Sequence, residues 1–408
     1  YSTIKSCRVC GSENFTSVLS LGEHPLANSL KSNLDQIEEK FPLTLVFCSM
    51  CSLVQIRETV SKEILFKRYV WVTGTSKTAR EFSEEFYMYI AKFFTSEKFF
   101  AIEIASNDGT FLKPFKQAGH KVLGVDPAEN IAKIANDIGI HTINKFFDSN
   151  TANSLVDEYG EADCVFARNV VPHTEDLHGV IAGMGRCLKS NGVGAIEFHY
   201  TQSILDETQY DSIYHEHLSY FSLSSICYLL EKHNLHAFDI LESPISGGAL
   251  IVYFSKDKRT VSKRFEEKKS CEKKTGISKK EKWEEFSRNC LAHRLKLAAL
   301  LKSEVEKGSR LIAYGASARS STLLNFCDLN DVGLECIADG NAIKHGKFAP
   351  GTRFPIVPPD VAFSKKPDTV LLLAWNFKNE ILSILKDKYG FSGKVILPLP
   401  CEPHVVEF

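Results

Sequence analysis

The sequence has no excess of charge of either sign. Its 408 residues include 49 lysines and arginines and 50 aspartates and glutamates, so the formal net charge is −1. A charge so close to zero produces no general field that would draw the chain to nucleic acid or to an anionic membrane. We therefore expect no role for nucleic acid or a membrane.

Long apolar runs are also missing. No stretch approaches the roughly 18 apolar residues of a membrane span, and the opening residues, YSTIKSCRVC, lack the apolar core of a signal peptide. Four of the twelve cysteines form two closely spaced pairs, and the other eight are scattered. This pattern is typical of a reducing cytoplasm and not of a disulfide framework. We expect a cytoplasmic protein and, from its length, two or three domains.

The first segment, residues 1–75, contains two C-x2-C pairs. Cys7 and Cys10 lie in CRVC, and Cys48 and Cys51 lie in FCSMC. Four thiolates can close a tetrahedral zinc site, and because no position is left for water, such a site would be structural. The pattern predicts a zinc-binding domain; two knuckle-like turns with free thiols are the alternative.

The second segment, residues 76–255, alternates apolar strands with amphipathic helices. A helix is predicted to begin near Thr110. The predicted strands cover residues 99–104, 121–126, 141–144, 162–169 and 192–200. Such alternation predicts an α/β fold with a parallel sheet and helices on both faces. Ligands of such sheets bind at the carboxyl ends of the strands.

The turn after the first of these strands, EIASNDG, lacks the three glycines of a dinucleotide-binding fold. It is closer to the looser glycine-rich turn used for S-adenosylmethionine, with Ala105 and Asn107 at two glycine positions. Small residues there still let the backbone approach a ligand, and Asp126 can accept hydrogen bonds from both ribose hydroxyls. A methyltransferase is favoured over a dehydrogenase; an ordinary strand-turn-helix is the alternative. The expected cofactor-binding residues are Glu103, Ala105, Ser106, Asn107, Asp108, Gly109, Leu112, Asp126, Pro127, Phe147 and Ser76.

Polar side chains follow the fourth and fifth predicted strands. NVVPH supplies Asn169 and His173, and YHEH supplies Tyr214, Glu216 and His217. Because the strand ends of a parallel sheet share one edge, these side chains could meet beside the methyl donor. Histidine takes up a proton near neutral pH, so we interpret the cluster as an acid/base centre. A metal site and a polar loop without chemistry are the alternatives, and the spacing does not choose which histidine is the base.

The third segment, residues 256–408, contains a second strand-turn-helix, RLIAYGASARSSTLLNF, which predicts a smaller doubly wound domain. A stretch of mixed lysines and glutamates precedes it, and we predict an exposed helix or linker there. The turn YGASARS could receive a phosphate, with Ser317, Arg319 and Lys344 as candidate ligands. A structural domain without a ligand is the alternative.

Seven motifs occur in one order: CRVCGS, PLANSL, FCSMC, EIASNDGTFL, NVVPH, YHEHLSYFSL and YGASARSSTLLNF. Together they resemble the sugar C-methyltransferases that act on nucleotide-linked 4-keto-deoxy sugars and make branched sugars for antibiotics and cell-surface polysaccharides. The resemblance covers essentially the whole chain. It implies a zinc-binding N-terminal domain, a central S-adenosylmethionine-dependent domain and a C-terminal Rossmann-like domain, with the nucleotide sugar in the cleft between them.

The resemblance also implies methylation at C-3′ of the sugar. A base removes the C-3′ proton, which the C-4′ ketone acidifies, and the resulting enediolate attacks the methyl group. Carried over by motif, His217 is the base, and Glu216 and Tyr214 orient the base and the substrate. His173 and Asn169 would bind the sugar or hold the enolate oxygen.

The chain departs from the family pattern at three places where the sugar or nucleotide would be contacted. Val72 replaces an aromatic residue near Tyr69 and Trp71, SGGALIV lacks the usual histidine and arginine, and IEFHY has Phe-His where Val-Pro is more usual. The reaction class stands, whereas the sugar and the nucleotide stay open. Further substrate contacts are expected at Tyr69, Tyr200, Gly247 and Gly248.

Two other classes of protein fit parts of the sequence. A nucleotide-dependent oxidoreductase or epimerase would use the second Rossmann-like domain, where Asp339 ends a strand, but the turn there lacks the three-glycine fingerprint. A non-catalytic zinc-ribbon adaptor would not need polar residues at two strand ends. We therefore expect a monomeric sugar C-methyltransferase.

Overall fold

The computed structural model describes residues 1–66 and 72–407, so the predictions on Tyr69 and Trp71 lie outside the described residues. The described chain is an α/β protein with four β-sheets, two of them largely parallel. The α/β class predicted from the alternation of strands and helices is confirmed. Among the described residues, no helix combines the length and apolar character needed to span a membrane.

The N-terminal segment is mostly antiparallel β-structure. Its second, third and fourth strands pair side by side, and a short strand from the middle of the chain, Ser219–Tyr220, completes this four-stranded sheet. That pairing places the YHEH motif directly beside the N-terminal segment. A single turn of helix, α1 (Lys62–Phe66), follows the strands. The strands are β1 (Ser2–Thr3), β2 (Phe15–Pro25), β3 (Lys40–Cys48), β4 (Val54–Ile56) and β5 (Glu58–Thr59).

The central sheet has seven strands in the order β12-β13-β10-β9-β6-β7-β8. The five strands from β10 to β8 are parallel, and β13 and β12 add an antiparallel edge. The strands of this segment are β6 (Phe100–Ile104), β7 (Lys121–Val125), β8 (Thr142–Ile143), β9 (Ala162–Arg168), β10 (Leu188–His199), β11 (Ser219–Tyr220, in the N-terminal sheet), β12 (His236–Ser243) and β13 (Ala249–Ser255). Every residue of β6 is buried, including Glu103 in an otherwise apolar sequence.

Helices cover this sheet. The first buries Phe82, Phe86 and Ile90 at the spacing of one helix face, and the Ser76 side chain caps its start by accepting a hydrogen bond from the Ala79 N–H. The helix predicted near Thr110 begins three residues later, because the turn after β6 is longer than predicted. The helices are α2 (Lys77–Ala91), α3 (Lys113–Gln117), α4 (Glu129–Asp137), α5 (Ser149–Tyr159), α6 (Leu177–Cys187), α7 (Thr201–Asp206) and α8 (Leu223–Glu231).

The C-terminal segment forms a second doubly wound sheet, in the order β16-β15-β14-β17-β18-β19. All its pairings are parallel except that of β19. The strands are β14 (Leu311–Tyr314), β15 (Leu334–Ala338), β16 (Ile356–Val357), β17 (Thr369–Leu372), β18 (Lys394–Leu397) and β19 (His404–Glu407). The helices are α9 (Lys263–Thr275), α10 (Lys280–Glu306), α11 (Ala318–Phe326), α12 (Pro359–Ser364) and α13 (Lys378–Asp387).

The charged stretch before this sheet is helical, as predicted, but it is not simply exposed. It forms α9 and the start of α10, whose Phe265, Trp283 and Phe286 are buried. The buried Glu272 carboxylate accepts hydrogen bonds from the backbone N–H groups of Leu223 and Ser224 at the start of α8. A carboxylate at a helix start satisfies otherwise unpaired N–H groups. The predicted helix is confirmed, but the expected exposure was wrong for these buried residues, of which Phe265 and Glu272 join the stretch to the central domain.

The carboxyl edges of the two parallel sheets face one cavity of about 1230 Å³. Residues that follow β6, β7, β9 and β10 line one side, and residues that follow β14, β15 and β17 line the other. This is the location at which doubly wound sheets bind ligands.

Candidate active site

The four predicted zinc ligands come together. The sulfur atoms of Cys7, Cys10, Cys48 and Cys51 all lie within 4.8 Å of one another. The Cys7–Cys51 and Cys10–Cys48 sulfur pairs are 3.6 and 3.5 Å apart, close to the edge of about 3.8 Å expected for a ZnS₄ tetrahedron with Zn–S bonds of about 2.3 Å. A hydrogen bond with the Cys51 thiol lowers the pKa of Cys7 to about 5. These residues fit a closed, structural zinc site.

The turn after β6 is strained in a way that brings its backbone to the cavity. Ala105 and Asn107 have φ values of 53° and 50°, and Gly109 has 78°. Left-handed conformations are uncommon outside glycine, and at Gly109 an added Cβ would lie 3.0 Å from Ile140. The Asn107 side chain accepts a hydrogen bond from the Thr73 N–H at 2.9 Å. The turn therefore also fixes the residues that precede α2.

Asp126 stands at the end of β7, where it faces the cavity. One carboxylate oxygen accepts from the Asn107 N–H and the other from the Ala128 N–H, both at 2.9 Å. Each oxygen has capacity for a further bond, and burial raises the pKa of Asp126 above its usual value. A carboxylate fixed in this way fits a pair of ribose hydroxyls beside the tight turn, as S-adenosylmethionine requires.

The predicted cofactor residues divide into two layers. Those on the cavity surface are Ser76, Ala105, Asn107, Asp126, Pro127 and Phe147. The others support that surface: Asp108 accepts from the Gly74 N–H at 2.9 Å, and burial raises the pKa of Glu103 well above its usual value. The supporting residues that do not line the cavity are Glu103, Ser106, Asp108, Gly109 and Leu112.

Asn169, His173, Tyr214 and His217 line the same cavity. The rings of His173 and His217 lie 4.6 Å apart, edge to face. Asn169 has a left-handed backbone with φ of 50°, which turns the chain at the end of β9. The two motifs, 41 or more residues apart in sequence, thus meet at one edge of the sheet, as their positions after strands predicted.

Hydrogen bonds assign the tautomer of His217. Its Nδ1 lies 2.8 Å from the Ser212 carbonyl oxygen, which can only accept, so Nδ1 carries a hydrogen. Nε2 is then the lone-pair nitrogen of the neutral ring, and the Tyr214 hydroxyl donates to it at 2.7 Å. Burial, with His173 and His199 nearby, lowers the pKa of His217 well below its usual value. The imidazole is held neutral and ready to accept a proton at Nε2.

Glu216 does not orient this base. Its Oε1 accepts from the Asn28 side-chain amide at 2.6 Å, and its side chain is outside the cavity lining. Burial raises the pKa of Glu216 to about 7. The neighbouring residues of the YHEH turn point in different directions, and the Ser212 carbonyl takes the role predicted for Glu216. Asn28, in the PLANSL motif, lines the cavity instead.

Arg319 lines the cavity but is already paired. Its guanidinium donates to both carboxylate oxygens of the buried Asp211, at 2.9 and 2.7 Å. It also donates to the Ser246 carbonyl and the Gln209 side chain, and the Trp375 indole donates to the same Asp211 carboxylate. Arg319 therefore joins the C-terminal segment to the central domain without a bound phosphate.

The remaining predicted substrate residues have different surroundings. Ser317 lines the cavity and caps α11, and Lys344 lines it while donating to the Asp339 carboxylate at 3.1 Å. Gly247 and Gly248 form the turn before β13, with left-handed φ values of 77° and 111°, behind the lining residues Ile245 and Ser246. Tyr200 is buried and donates to Glu272 at 2.8 Å, so the structure does not bring it to the cavity.

Sequence reasoning missed several residues that the fold brings to the site. Asn28 lies in a quoted motif, and its role had no local signal because its partner is 188 positions away. Asp211 and Gln209 do not line the cavity but accept hydrogen bonds from Arg319, and they lie at a short 3-10 turn between α7 and β11. His199 was noted as a departure, and its position at the end of β10 was the available signal.

A Rossmann-like sheet with this turn, this aspartate and a closed zinc site define a methyltransferase with a zinc-binding extension. Three family models agree along the chain: "Putative zinc binding domain" matches residues 7–66, "Methyltransferase domain" matches residues 86–238, and "C-methyltransferase C-terminal domain" matches residues 244–400. C-methyltransferase NovU of Streptomyces niveus is 33% identical over 99% of this chain and 97% of its own length.

The chain therefore belongs to the C-methyltransferase family and is an S-adenosylmethionine-dependent enzyme with structural zinc. Solved methyltransferases resemble it more distantly. Magnesium protoporphyrin IX methyltransferase from Synechocystis PCC 6803, with bound S-adenosylmethionine, is 12% identical, with a TM-score of 0.34 over 44% of this chain and 79% of that one. The plantazolicin methyltransferase BpumL is 14% identical, with a TM-score of 0.35 over 44% and 85%. The family assignment rests on the full-length relative and not on these structures.

Proposed function

We propose that this enzyme methylates C-3′ of a nucleotide-linked 4-keto-deoxy sugar, in the biosynthesis of a branched sugar. The observation that carries the proposal is the neutral imidazole of His217. This side chain lines the same cavity as the turn after β6 and Asp126, where we expect the cofactor. Methylation at carbon needs a carbon nucleophile. A carbon beside a ketone becomes one when a base removes its proton, and in this proposal His217 is that base.

The Ser212 carbonyl prepares His217 for this step. By accepting from Nδ1, it fixes the ring and stabilises the imidazolium that forms when Nε2 takes the C-3′ proton. The Tyr214 hydroxyl occupies Nε2 in the structure, so the substrate hydrogen must replace it there. General base catalysis of this kind contributes about 10²- to 10⁴-fold.

An imidazole alone is too weak a base for a ketone α-proton, so the developing oxyanion must be stabilised. Preorganised donors at such an oxygen are often the largest catalytic contribution. The Tyr214 hydroxyl, once displaced from Nε2, can donate to the enolate oxygen, and Asn169 and His173 line the same wall. When bound, S-adenosylmethionine supplies the electrophilic methyl group. In the transfer, the enediolate carbon would form the new carbon–carbon bond as the methyl–sulfur bond breaks and S-adenosylhomocysteine leaves.

Glu216 has a different role in this proposal from the one its motif implied. Through its short bond to the Asn28 amide, it fixes the PLANSL loop against the cavity. The N-terminal segment thereby contributes a polar side chain to the acceptor side of the site. Zinc acts at a distance, by holding the segment that carries Asn28.

The size and the far wall of the cavity support a large acceptor. About 1230 Å³ exceeds the roughly 300–1,000 Å³ of a single drug-sized ligand, so donor and acceptor can bind together. The edge of the C-terminal sheet, with Ser317 and Asn341, is the part that we assign to the nucleotide. In this proposal the enzyme is a cytoplasmic monomer that acts on a small molecule and needs neither nucleic acid nor a membrane.

The test uses S-adenosylmethionine with a ¹³C-labelled methyl group and a panel of 4-keto-deoxy sugar nucleotides. We expect one of these acceptors to gain a labelled methyl group bonded to C-3′, identified by carbon–carbon coupling to the ring. Transfer to a sugar oxygen, or no transfer to any nucleotide sugar while S-adenosylmethionine binds, would contradict the proposal.

A further inference from the structure

A third histidine of the cavity wall has a ring nitrogen with no use in the reaction described so far. His199 is the last residue of β10 and lines the cavity. It is 6% exposed, and its Nε2 is buried without a hydrogen-bond partner among the described residues. Buried polar atoms are nearly always paired in native structures, so this exception calls for an explanation.

The position of His199 points it to the acceptor and away from the cofactor turn. β10 lies between β9 and β13, and His199 pairs in register with Ala249 at the start of β13. The next residue ties this strand end to the turn before β13, because the Tyr200 N–H donates to the Gly248 carbonyl at 3.1 Å. His217 and Arg319 are neighbouring groups. His199 helps to lower the pKa of His217, and Arg319 helps to lower the pKa of His199. His199 thus lies near both the proposed base and Arg319 of the C-terminal segment.

The ring is neutral. Burial first, and then the Arg319 guanidinium, lower the pKa of His199 to about 3, and the Gln209 side chain offsets this only in part. A neutral imidazole offers either an N–H or a lone pair at Nε2. A hydroxyl group can pair with Nε2 in either form, because it can donate to a lone pair or accept from an N–H. A phosphate would need an N–H and would favour a charged ring, so it fits this environment less well.

We propose that His199 is a specificity-determining residue whose Nε2 hydrogen-bonds a hydroxyl group of the acceptor sugar. This assignment rests on the proposed function and adds the group that the enzyme recognises. Recognition by a buried polar atom is selective, because an analogue without the matching hydroxyl leaves that atom unpaired. The residue binds the acceptor and takes no proton from it.

The experiment compares the accepted nucleotide sugar with analogues that each lack one hydroxyl. For the wild-type enzyme we expect one analogue to have a KM about 3- to 10-fold higher, in line with one neutral hydrogen bond, with kcat changed less than KM. In His199→Phe, which keeps a ring without the nitrogen, parent and analogue should have the same KM. In His199→Gln, whose amide can replace Nε2, part of the discrimination should return.

His215 offers a matched control. It is also a buried histidine with one unpartnered ring nitrogen, but it does not line the cavity. His215→Gln should keep the wild-type discrimination among analogues. Binding of S-adenosylhomocysteine, measured by calorimetry, shows that each variant is folded. If His199→Phe does not bind it, His199→Leu is used instead.

The outcomes separate the two proposals. If the wild-type enzyme methylates a nucleotide sugar and His199→Phe discriminates among the analogues as the wild type does, the role of His199 is overturned and the proposed function stands. If the wild-type enzyme methylates no nucleotide sugar, the proposed function fails, and the assignment of His199 fails with it.

Discussion

Asp126 and Asp339 occupy equivalent places in the two parallel sheets, but the chain uses them differently. Asp126 follows β7, which pairs with β6, and Asp339 follows β15, which pairs with β14. In chain order, β6 and β14 are the first strands of their sheets. Asp126 accepts two backbone N–H groups and is joined to no cationic side chain among the residues described. Asp339 also accepts two backbone N–H groups, from Ala316 and Asn341, but the Lys344 ammonium lies 3.1 Å from it.

The difference shows that topology alone does not make a ribose-binding carboxylate. A strand-end carboxylate binds ribose only when its remaining lone pairs are available. Asp126 keeps them on both oxygens, whereas in the second sheet Lys344 neutralises the carboxylate and occupies one of its two oxygens. This counts against the oxidoreductase alternative, which would need Asp339 for a dinucleotide. The second sheet is better suited to closing the cavity over an acceptor.

The largest expected effect concerns the reacting group at the edge of the first sheet. His217→Asn removes the lone pair at Nε2, and we expect kcat to fall about 10²- to 10⁴-fold while S-adenosylhomocysteine affinity is unchanged. His345 is the control from the second edge, because its ring contacts the Asp339 carbonyl and does not line the cavity. His345→Asn should keep kcat within about 3-fold. Comparable losses of kcat in both variants would contradict the claim that the reacting group lies at the edge of the first sheet alone.

The next effect concerns the ion pair that joins the two edges. Asp211→Ala leaves the Arg319 guanidinium and the Trp375 indole without their acceptor, both partners of the ion pair being largely buried. Losing one partner of a buried pair costs about 3–5 kcal/mol of unfolding free energy. The exposed Lys133–Asp137 pair is the control, and Asp137→Ala should cost about 0–1 kcal/mol. Urea unfolding measures both; equal costs would mean that Arg319 is not the structural link described.

A smaller effect compares the two aspartates directly. Asp126→Asn removes the charge that we expect to bind ribose, and since hydrogen bonds to charged groups contribute about 1.5–3 kcal/mol, affinity for S-adenosylhomocysteine should fall about 10- to 150-fold. Asp339→Asn should leave that affinity within about 2-fold. Calorimetric titration of both variants decides the matter, and an equal loss in Asp339→Asn would contradict the comparison.

The smallest effect is on the acid limb of the pH profile. The pKa of His217 lies well below 6.5, and burial lowers that of His173 to about 4. A lowered histidine pKa means that the neutral, basic form persists as the pH falls. In Glu216→Gln, which removes the carboxyl group with a pKa of about 7, kcat/KM should therefore change less than about 2-fold between pH 7.5 and 6.5. A fall with a midpoint at or above pH 6.5 would show that the imidazole is not protected from protonation in this way.

Local patterns predicted the parts of the molecule that depend on neighbours in sequence. The C-x2-C pairs placed the zinc ligands, and apolar runs followed by small or polar residues placed β6, β7 and β9 to within a residue or two. The meeting of His173 with His217 followed from the rule that parallel strands end at one edge. None of these inferences required a distant partner to be known.

The parts that failed depend on partners far away in the chain. Glu216 was expected to orient His217 because it is adjacent in sequence, but adjacent residues in a turn need not face each other, and its partner is Asn28. Arg319 was a candidate phosphate ligand and does line the cavity, but its ion pair with Asp211, 108 positions earlier, was not predicted. Tyr200 was expected in the cavity and instead donates to Glu272. Such pairings are settled by tertiary packing.

Deuterium exchange tests the central claim, which is that His217 takes a proton from the carbon that later receives the methyl group. The accepted 4-keto sugar nucleotide is incubated in D₂O with the enzyme and S-adenosylhomocysteine, so that no methyl transfer takes place. We predict that the wild-type enzyme places one deuterium at C-3′ and that His217→Asn places none in the same time. Methylation of this sugar by an enzyme that gives no exchange at C-3′, or undiminished exchange in His217→Asn, would contradict the account.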